Sequence, residues 1–333
     1  MSGSSSQIKV AIAGTGSYVP ERVLTNSDLE IMVDTSDEWI TARTGIKERR
    51  IAAEDEFTSH MAVKASRKAI EQAGISPSEV ELIIVATITP NTLTPATACY
   101  VQHELGAHQA VAFDISAACS GFLYAMRLAE RMISGGTCKN ALILGAEKLS
   151  AFVNWDDRST CVLFGDGAGA ALLKRAREEE GQILAIDIGT DGGQTDLLNI
   201  PGGGSACPIT QENADQRLST LAMVGTDVFK QAVTRMRDSA NSVIERSGLR
   251  PGDIKLLIPH QANLRIIEAI TKRIEIPEDR VFVNLHKYGN TSAAACAIAL
   301  DEAHRAQKFG PGDHIVMAAF GAGLTWASAA IRW

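Results

Sequence analysis

No stretch of the 333 residues approaches the roughly 18 consecutive apolar positions that a membrane-spanning helix needs. The opening Met-Ser-Gly-Ser-Ser-Ser-Gln lacks the basic segment and following apolar segment of a secretory leader. Cysteine is scarce, with six residues at positions 99, 119, 138, 161, 207 and 296 and no C-x-x-C pair, which excludes a disulfide scaffold and argues against structural zinc. Positive charge is in deficit: 32 Lys and Arg face 39 Asp and Glu, a net charge of −7, so the surface as a whole does not suit nucleic acid. Dinucleotide and phosphate-loop fingerprints are also missing. Phe164-Gly-Asp-Gly-Ala-Gly-Ala170 and Gly14-Thr-Gly-Ser17 have glycines, but neither the third glycine of G-x-G-x-x-G at its spacing nor a Gly-Lys-Ser/Thr, so a dehydrogenase reading fails. The expectation is a soluble, cytoplasmic protein without membrane, nucleic-acid or metal partners.

What is present is a composition near the globular average, 45% apolar and 21% charged. Short apolar runs predict buried strands at Val10 to Ala13, Leu82 to Ala86, Val111 to Ile115, Ala141 to Leu144, Leu256 to Ile258, Val281 to Val283 and Ile315 to Ala318. Amphipathic helices such as Met61 to Ala73 and Ser120 to Ser134 lie between them. Strand and helix alternating in this way predict an α/β fold with largely parallel sheets covered on both faces.

The chain also repeats itself. Ala73-Gly-Ile-Ser-Pro-Ser-Glu-Val-Glu-Leu-Ile-Ile84 aligns with Ser247-Gly-Leu-Arg-Pro-Gly-Asp-Ile-Lys-Leu-Leu-Ile258 at an offset of 174 residues, with Gly, Pro and the strand pattern in register. Ser120, Ala125, Leu128, Glu130 and Ile143 match Ser292, Ala297, Leu300, Glu302 and Ile315 at an offset of 172. Two copies of one domain are implied, residues 1–180 and 181–333, with a pseudo-twofold axis and an active site between them.

Three residues carry the chemistry. Cys119, in Asp114-Ile-Ser-Ala-Ala-Cys-Ser-Gly-Phe122, stands where a buried strand gives way to a helix. The positive end of a helix dipole is expected to lower the pKa of a thiol there and activate it as a nucleophile. His260 and Asn263 follow the strand of the second copy in Leu257-Ile-Pro-His-Gln-Ala-Asn-Leu264, and Asn290 lies in Tyr288-Gly-Asn-Thr-Ser-Ala-Ala294, at or beside the repeat mate of Cys119. An imidazole and an amide beside a thiolate suit thioester chemistry, in which a tetrahedral oxyanion and an enolate are stabilised by hydrogen bonds. Glycines in Phe320-Gly-Ala-Gly-Leu324 let backbone N–H groups approach a reacting carbonyl. Cys161 and Cys296 read as small core residues.

With these motifs the sequence resembles β-ketoacyl-acyl carrier protein synthase III, the initiating condensing enzyme of type II fatty acid synthesis in the thiolase superfamily. The resemblance runs from Ile8 to Trp333 and includes Thr35-Ser-Asp-Glu-Trp-Ile40, Arg43-Thr-Gly-Ile46, Ala117-Ala-Cys-Ser-Gly121, Phe164-Gly-Asp-Gly-Ala-Gly169, Pro259-His-Gln-Ala-Asn-Leu-Arg265, Gly289-Asn-Thr-Ser292 and Ala319-Phe-Gly-Ala-Gly323. It implies a duplicated thiolase-like fold of five layers, α-β-α-β-α, with mixed sheets, and a homodimer.

The resemblance further implies a ping-pong decarboxylative condensation of an acyl-CoA primer, acetyl-CoA first among candidates, with malonyl-acyl carrier protein. Cys119 takes the acyl group, the N–H groups of Cys119 and Ala322 hold the oxyanion, His260 and Asn290 bind the malonyl thioester oxygen, and Phe320 packs beside the malonyl group. Trp39 and Arg158 match a pair that stacks on adenine, while Arg43, Gly225, Phe229, Ala262 and Asn263 match positions along the CoA and pantetheine tunnel. Lys230, Arg265, Lys272 and Arg273 match a basic patch for the acidic carrier protein. Thr94, in Thr92-Leu-Thr-Pro-Ala96, matches a loop that crosses to the partner's acyl pocket. No cofactor is implied, CoA thioester being the substrate. Two other readings remain: a Cys-His-Asn condensing enzyme of secondary metabolism using acyl-CoA or β-keto substrates, and a silent paralogue.

Overall fold

The computed structural model describes residues 8–177 and 179–333; the seven N-terminal residues read above for a leader, and Glu178 in the charged run after Arg175, lie outside them. Strand β1 (Val10–Tyr18) is followed by a small antiparallel pair, β2 (Arg22–Thr25) and β3 (Glu48–Ile51), which encloses helices α1 (Asn26–Met32) and α2 (Asp37–Thr44). Then come α3 (Thr58–Ala73), β4 (Leu82–Ala86), α4 (Thr97–Leu105), β5 (Val111–Ile115), α5 (Gly121–Ser134), β6 (Asn140–Glu147) and β7 (Gly167–Arg175). The chain continues through β8 (Gln182–Thr190), the two-residue β9 (Leu198–Asn199) and β10 (Ala222–Met223), α6 (Gly225–Arg246), β11 (Ile254–Pro259) and α7 (Leu264–Ile274). Helices α8 (Leu285–Tyr288) and α9 (Ala294–Arg305) and strands β12 (His314–Gly321) and β13 (Thr325–Arg332) complete it. Among the described residues no helix is long and apolar enough to cross a membrane.

Two sheets carry the fold, with strand orders β1-β7-β6-β4-β5 and β11-β12-β13-β8. Read from β8, the second repeats the order of the first. The chain leaves one sheet at Arg175 and enters the other at Gln182. The aligned segments also fold alike: each makes a short 3-10 turn opened by Pro77 or Pro251, in which Glu79 accepts the Ser76 N–H at 2.7 Å and Asp253 the Arg250 N–H at 2.9 Å. A strand of sheet follows each turn.

The sheets are mixed, with a larger antiparallel share than the alternation of strands and helices suggests. Pairs β4–β5, β4–β6 and β11–β12 are parallel, whereas β1, β7, β8 and β13 join antiparallel. Strand β13 returns directly from β12 without a crossover helix, which only an antiparallel pairing permits. The strand predicted at Val281 to Val283 is reduced to a single parallel bridge between Val281 and Leu257. The Phe282 carbonyl, which would extend the ladder, instead accepts the Gln261 side-chain amide at 3.0 Å.

Alternation along each central strand sorts side chains into layers. Leu82 and Ile84 face the middle layer, where α5 (Phe122, Leu123, Met126) and α9 (Cys296, Ala297, Leu300) pack between the sheets against Leu256, Ile258 and Ile315. Ile83 and Val85 face α3 and α4 outside the first sheet. Leu257 and Val316 face α6 and α7 outside the second. The result is the five-layer α-β-α-β-α arrangement. Close approach of α9 depends on Gly169, where an added Cβ would lie 2.4 Å from the Ala297 Cβ.

Candidate active site

Cys119 sits in a single 3-10 turn, Ala118–Ser120, that feeds directly into α5. The preceding Ala118 has φ 45°, so the chain bends sharply through the left-handed region just before the thiol. Gly321, at the end of β12, packs on that bend: a Cβ there would lie 2.6 Å from the Cys119 nitrogen. The sulfur is buried and its thiol donates to the Ser292 hydroxyl at 3.5 Å. Burial pushes the Cys119 thiol up to about 12, although the Ser292 hydroxyl and the residue's own N–H favour the thiolate. The resting site therefore differs from the sequence expectation of a lowered pKa, because desolvation outweighs the helix end.

His260 follows β11, its N–H donating to the Ala318 carbonyl at 2.7 Å. Burial alone brings the imidazole down to about 4, which keeps it neutral, and Nδ1 has no hydrogen-bond partner among the described residues. The next residue fixes the loop. Gln261 donates to the Pro259 and Phe282 carbonyls at 2.7 and 3.0 Å and accepts the Asn284 and Leu285 N–H groups at 2.9 and 3.2 Å. Asn290 is pinned by its backbone to Leu163 (2.8 Å) and Gly165 (3.0 Å), and its Oδ1 accepts the Ser292 N–H at 2.9 Å.

Cys119, His260, Asn290 and Phe320 line one cavity of about 650 Å³. Trp39, Arg43, Gly225, Phe229, Ala262, Asn263, Lys230 and Arg265 line the same cavity farther out. Arg158 does not line it but reaches its rim: the Arg158 and Arg43 guanidiniums lie 5.0 and 4.9 Å from the centre of the Trp39 ring, and Arg158 donates to the Asp34 carbonyl at 2.6 Å. Asn263 caps α7 by accepting the Arg265 N–H (2.9 Å) and donates to the Arg43 carbonyl (3.2 Å), tying the two sides of the cavity together. Lys272 and Arg273 stand exposed in the last turn of α7, outside the cavity; Lys272 lies two turns along the helix from Arg265, on its face.

A second cavity of about 220 Å³ opens on the other side of the thiol. Ile88, Leu149, Phe164, Leu198, Ile200 and Leu221 make its wall apolar, and Ala118, Cys119, Ser292 and Ala322 close it at the sulfur. At about 30 Å³ per water-sized volume, its space corresponds to about seven waters, more than an acetyl group fills. Thr94 lines neither cavity and is exposed in this chain. Ser292 stands in the Gly289-Asn-Thr-Ser292 motif, yet sequence reasoning gave it no role. Ile200 and Leu221 flank a glycine-rich stretch without periodicity, so nothing in the sequence marked them as a pocket wall. Cys161 and Cys296 are buried core residues, whereas Cys99 is exposed.

Comparison with known proteins finds relatives over nearly the whole chain. Residues 113–192 match the family model described as 3-oxoacyl-[acyl-carrier-protein (ACP)] synthase III, and residues 244–333 match its C-terminal counterpart. The beta-ketoacyl-[acyl-carrier-protein] synthase III of Caldanaerobacter subterraneus subsp. tengcongensis is 54% identical over 327 residues, 98% of each chain. The crystal structure of 3-oxoacyl-[acyl-carrier-protein] synthase III from Aquifex aeolicus VF5 superposes with a TM-score of 0.90 at 49% identity, over 97% of this chain and 100% of that one. The priming beta-ketosynthase of the R1128 polyketide pathway also superposes with a TM-score of 0.90, at 36% identity over 98% of this chain and 97% of that one.

Proposed function

Because the chain belongs to the β-ketoacyl-[acyl-carrier-protein] synthase III family, we infer from its site how it performs that family's condensation. The enzyme is an acyltransferase that joins an acyl-CoA primer to malonyl-acyl carrier protein and so initiates fatty acid synthesis. The observation that carries the mechanism is the meeting of Cys119, His260 and Asn290, from three separate loops, on one cavity.

The primer enters with its adenine at Trp39 and Arg158, where an indole face and a guanidinium suit a flat heterocycle, and its pantetheine runs past Phe229 and Ala262 to the thiol. Cys119 attacks the thioester carbon. The N–H groups of Cys119 and Ala322 hold the oxyanion, CoA departs, and the acyl chain lies in the apolar cavity beyond the sulfur. Malonyl-acyl carrier protein then takes the vacated tunnel, guided by Lys230, Arg265, Lys272 and Arg273. As CO₂ leaves, the neutral imidazole of His260 and the amide of Asn290 donate to the thioester oxygen and stabilise the enolate without protonating its carbon. The enolate attacks acyl-Cys119, and Phe320 packs beside the reacting group.

CoA is a substrate here, and no further cofactor enters the scheme. A homodimer joined at the edge of the first sheet is supported by the edge strand β5, which exposes Val111, and by Leu93 beside Thr94, which is 91% exposed. In that assembly Thr94 faces the partner's acyl cavity. The proposed location is the cytoplasm. The reading as an enzyme of secondary metabolism is not favoured, since the R1128 priming beta-ketosynthase is 36% identical against 54% for the beta-ketoacyl-[acyl-carrier-protein] synthase III of Caldanaerobacter subterraneus subsp. tengcongensis.

The test is the intact mass of the protein after incubation with acyl-CoAs of two carbons upward, with Cys119→Ala alongside. Adducts that vanish in the variant support the scheme and name the primer; adducts that persist in it overturn the assignment of the nucleophile.

A further inference from the structure

The two N–H groups assigned to the oxyanion come from opposite copies of the repeat, so their spacing depends on how the copies are tied together beside the thiol. Around Cys119 the backbone is strained. Ala118, between the Ala117 carbonyl and the Cys119 N–H, has φ 45°, a conformation that a residue with a side chain keeps only where its surroundings enforce it. The Ala117 carbonyl accepts the Ser120 N–H at 3.1 Å within the turn, and it accepts the Thr325 hydroxyl at 2.9 Å. Among the described residues this is the one hydrogen bond that the second copy makes to the backbone of the nucleophile turn.

Ala322 is held from the same atom. Gly321 pairs with Thr325 in the β12–β13 ladder, and beyond the loop Leu324 exchanges two backbone hydrogen bonds with Asp191, each 2.8 Å. Between these anchors the Ala322 carbonyl accepts the Thr325 hydroxyl at 3.1 Å, its donor among the described residues. One hydroxyl proton is therefore shared between two carbonyls, one from each copy. The methyl of the same side chain fixes that aim. A Cβ added to Gly323 would lie 2.9 Å from the Thr325 Cγ2, so the methyl rests against the loop and leaves the hydroxyl facing the carbonyls, and a β-branched side chain has few other rotamers. Thr325 is buried, which shields the arrangement from water.

We propose that the Thr325 hydroxyl sets the oxyanion hole: by donating to the Ala117 and Ala322 carbonyls it fixes the separation and direction of the Cys119 and Ala322 N–H groups. This rests on the condensation scheme given above. The carbonyl and N–H of Ala322 flank one α-carbon, and only Ala118 stands between the Ala117 carbonyl and the Cys119 N–H. Each hydrogen bond therefore limits the rotation that would turn its N–H out of the hole. Oxyanion donors stabilise a transition state without reorganising only when they already point at the place where charge develops. Thr325 does not touch the thioester; it is a positioning residue that acts through the two N–H groups. Both tetrahedral species, on the primer carbonyl in acylation and on acyl-Cys119 in condensation, use that hole, whereas the enolate uses His260 and Asn290.

The experiment compares the whole wild-type protein with Thr325→Ser, Thr325→Ala and Thr325→Val. The first two variants differ only in the hydroxyl, and the third keeps a methyl against Gly323 while removing the donor. Single-turnover acylation by acetyl-CoA is read by intact mass, alkylation of Cys119 by iodoacetamide is followed alongside, and the infrared stretch of the acetyl-Cys119 carbonyl is isolated by isotope labelling at that carbon. Melting temperature and affinity for free CoA are the controls. Acylation should slow about 10- to 100-fold in Thr325→Ala and Thr325→Val and recover most of its rate in Thr325→Ser. Alkylation, which forms no oxyanion, should keep the wild-type rate in all three. The carbonyl stretch should move to higher frequency in Thr325→Ala and Thr325→Val, because misdirected N–H groups polarise the thioester less; a loss of stability alone would not move it. Thr325→Ala only removes atoms, so it carries the test even where the second methyl of Thr325→Val, set against carbonyl oxygens, prevents folding. Wild-type acylation in Thr325→Ala, alkylation slowed as much as acylation, or an unmoved carbonyl band overturns the proposal. A wild type that forms no acyl adduct with any CoA defeats the condensation scheme itself, a result separate from adducts that form equally fast with and without the hydroxyl.

Discussion

The side-chain oxygen of Asn290 accepts the backbone N–H of Ser292 at 2.9 Å, which commits the oxygen and leaves the amide nitrogen for the cavity. The orientation of the amide is therefore set before substrate arrives. Asn290→Asp keeps an acceptor for Ser292 but places a negative charge where the enolate develops. Cys119 should still be acylated at near the wild-type rate, while condensation with malonyl-acyl carrier protein falls about 10²- to 10³-fold. Separate acylation and condensation assays check this; equal loss in both would remove the assigned division of labour.

His260 titrates in the folded protein at about 4, against roughly 6.5 for an exposed histidine in the unfolded chain. Below the unfolded value the unfolded state binds more protons, so this residue's contribution to stability is complete above pH 6.5 and declines as pH falls toward 4. Urea unfolding of the wild type from pH 7.5 to 4.5 should show that decline, and His260→Gln should flatten part of it. Condensation should show no loss attributable to imidazole protonation between pH 6 and 8.

Gly321 has no room for a side chain, because an added Cβ would meet the Cys119 nitrogen at 2.6 Å. Gly321→Ala must push the nucleophile turn away from β12. A cost of about 1–3 kcal/mol in stability is expected from overpacking, together with a fall in acylation rate. Thermal unfolding and burst kinetics read the two effects, and a variant of wild-type rate and stability would show that the turn yields.

Arg265 lines the same cavity as Trp39, so reversing its charge would disturb CoA as well as carrier protein. Lys272 and Arg273 lie outside the cavity on the same helix and separate the two functions. In the double variant Lys272→Glu with Arg273→Glu, acylation by acyl-CoA should be unchanged. KM for malonyl-acyl carrier protein should rise about 10-fold or more and respond less to salt. An unchanged KM would move the docking surface elsewhere.

The chemistry of this protein was more legible than its interior shape. Cys119 and His260 could be singled out because each follows a strand within a motif, and strand ends are where α/β folds gather side chains, whereas Asn290, between α8 and α9, was marked by its motif and the repeat offset alone. The repeat was legible through Pro77 and Pro251, since a proline at the start of a turn before a strand leaves a mark that survives divergence of the surrounding residues. The strand expected at Val281 was lost to one long-range hydrogen bond, that of Gln261 to the Phe282 carbonyl, which no local pattern reports. The thiol's raised pKa was hidden for a related reason: burial of Cys119 depends on β12 and the Asn290 loop, both far along the chain. The apolar cavity beyond it draws Ile88, Leu149 and Leu221 from segments 61 and 72 residues apart along the chain.

The middle layer has a further consequence. Its helices α5 and α9 belong to the two copies of the repeat, and each lies against both sheets, so neither copy holds a complete interior of its own. Asp301 of α9 also accepts the Thr15 and Ser17 hydroxyls of β1 at 2.9 and 2.6 Å, stitching the last quarter of the chain to its beginning. A ribosome that has released only the first copy holds a polypeptide with one oily side uncovered. Shelter for that surface comes only when α9 emerges, so the apolar face of the first copy stays uncovered while residues 181–293 are made.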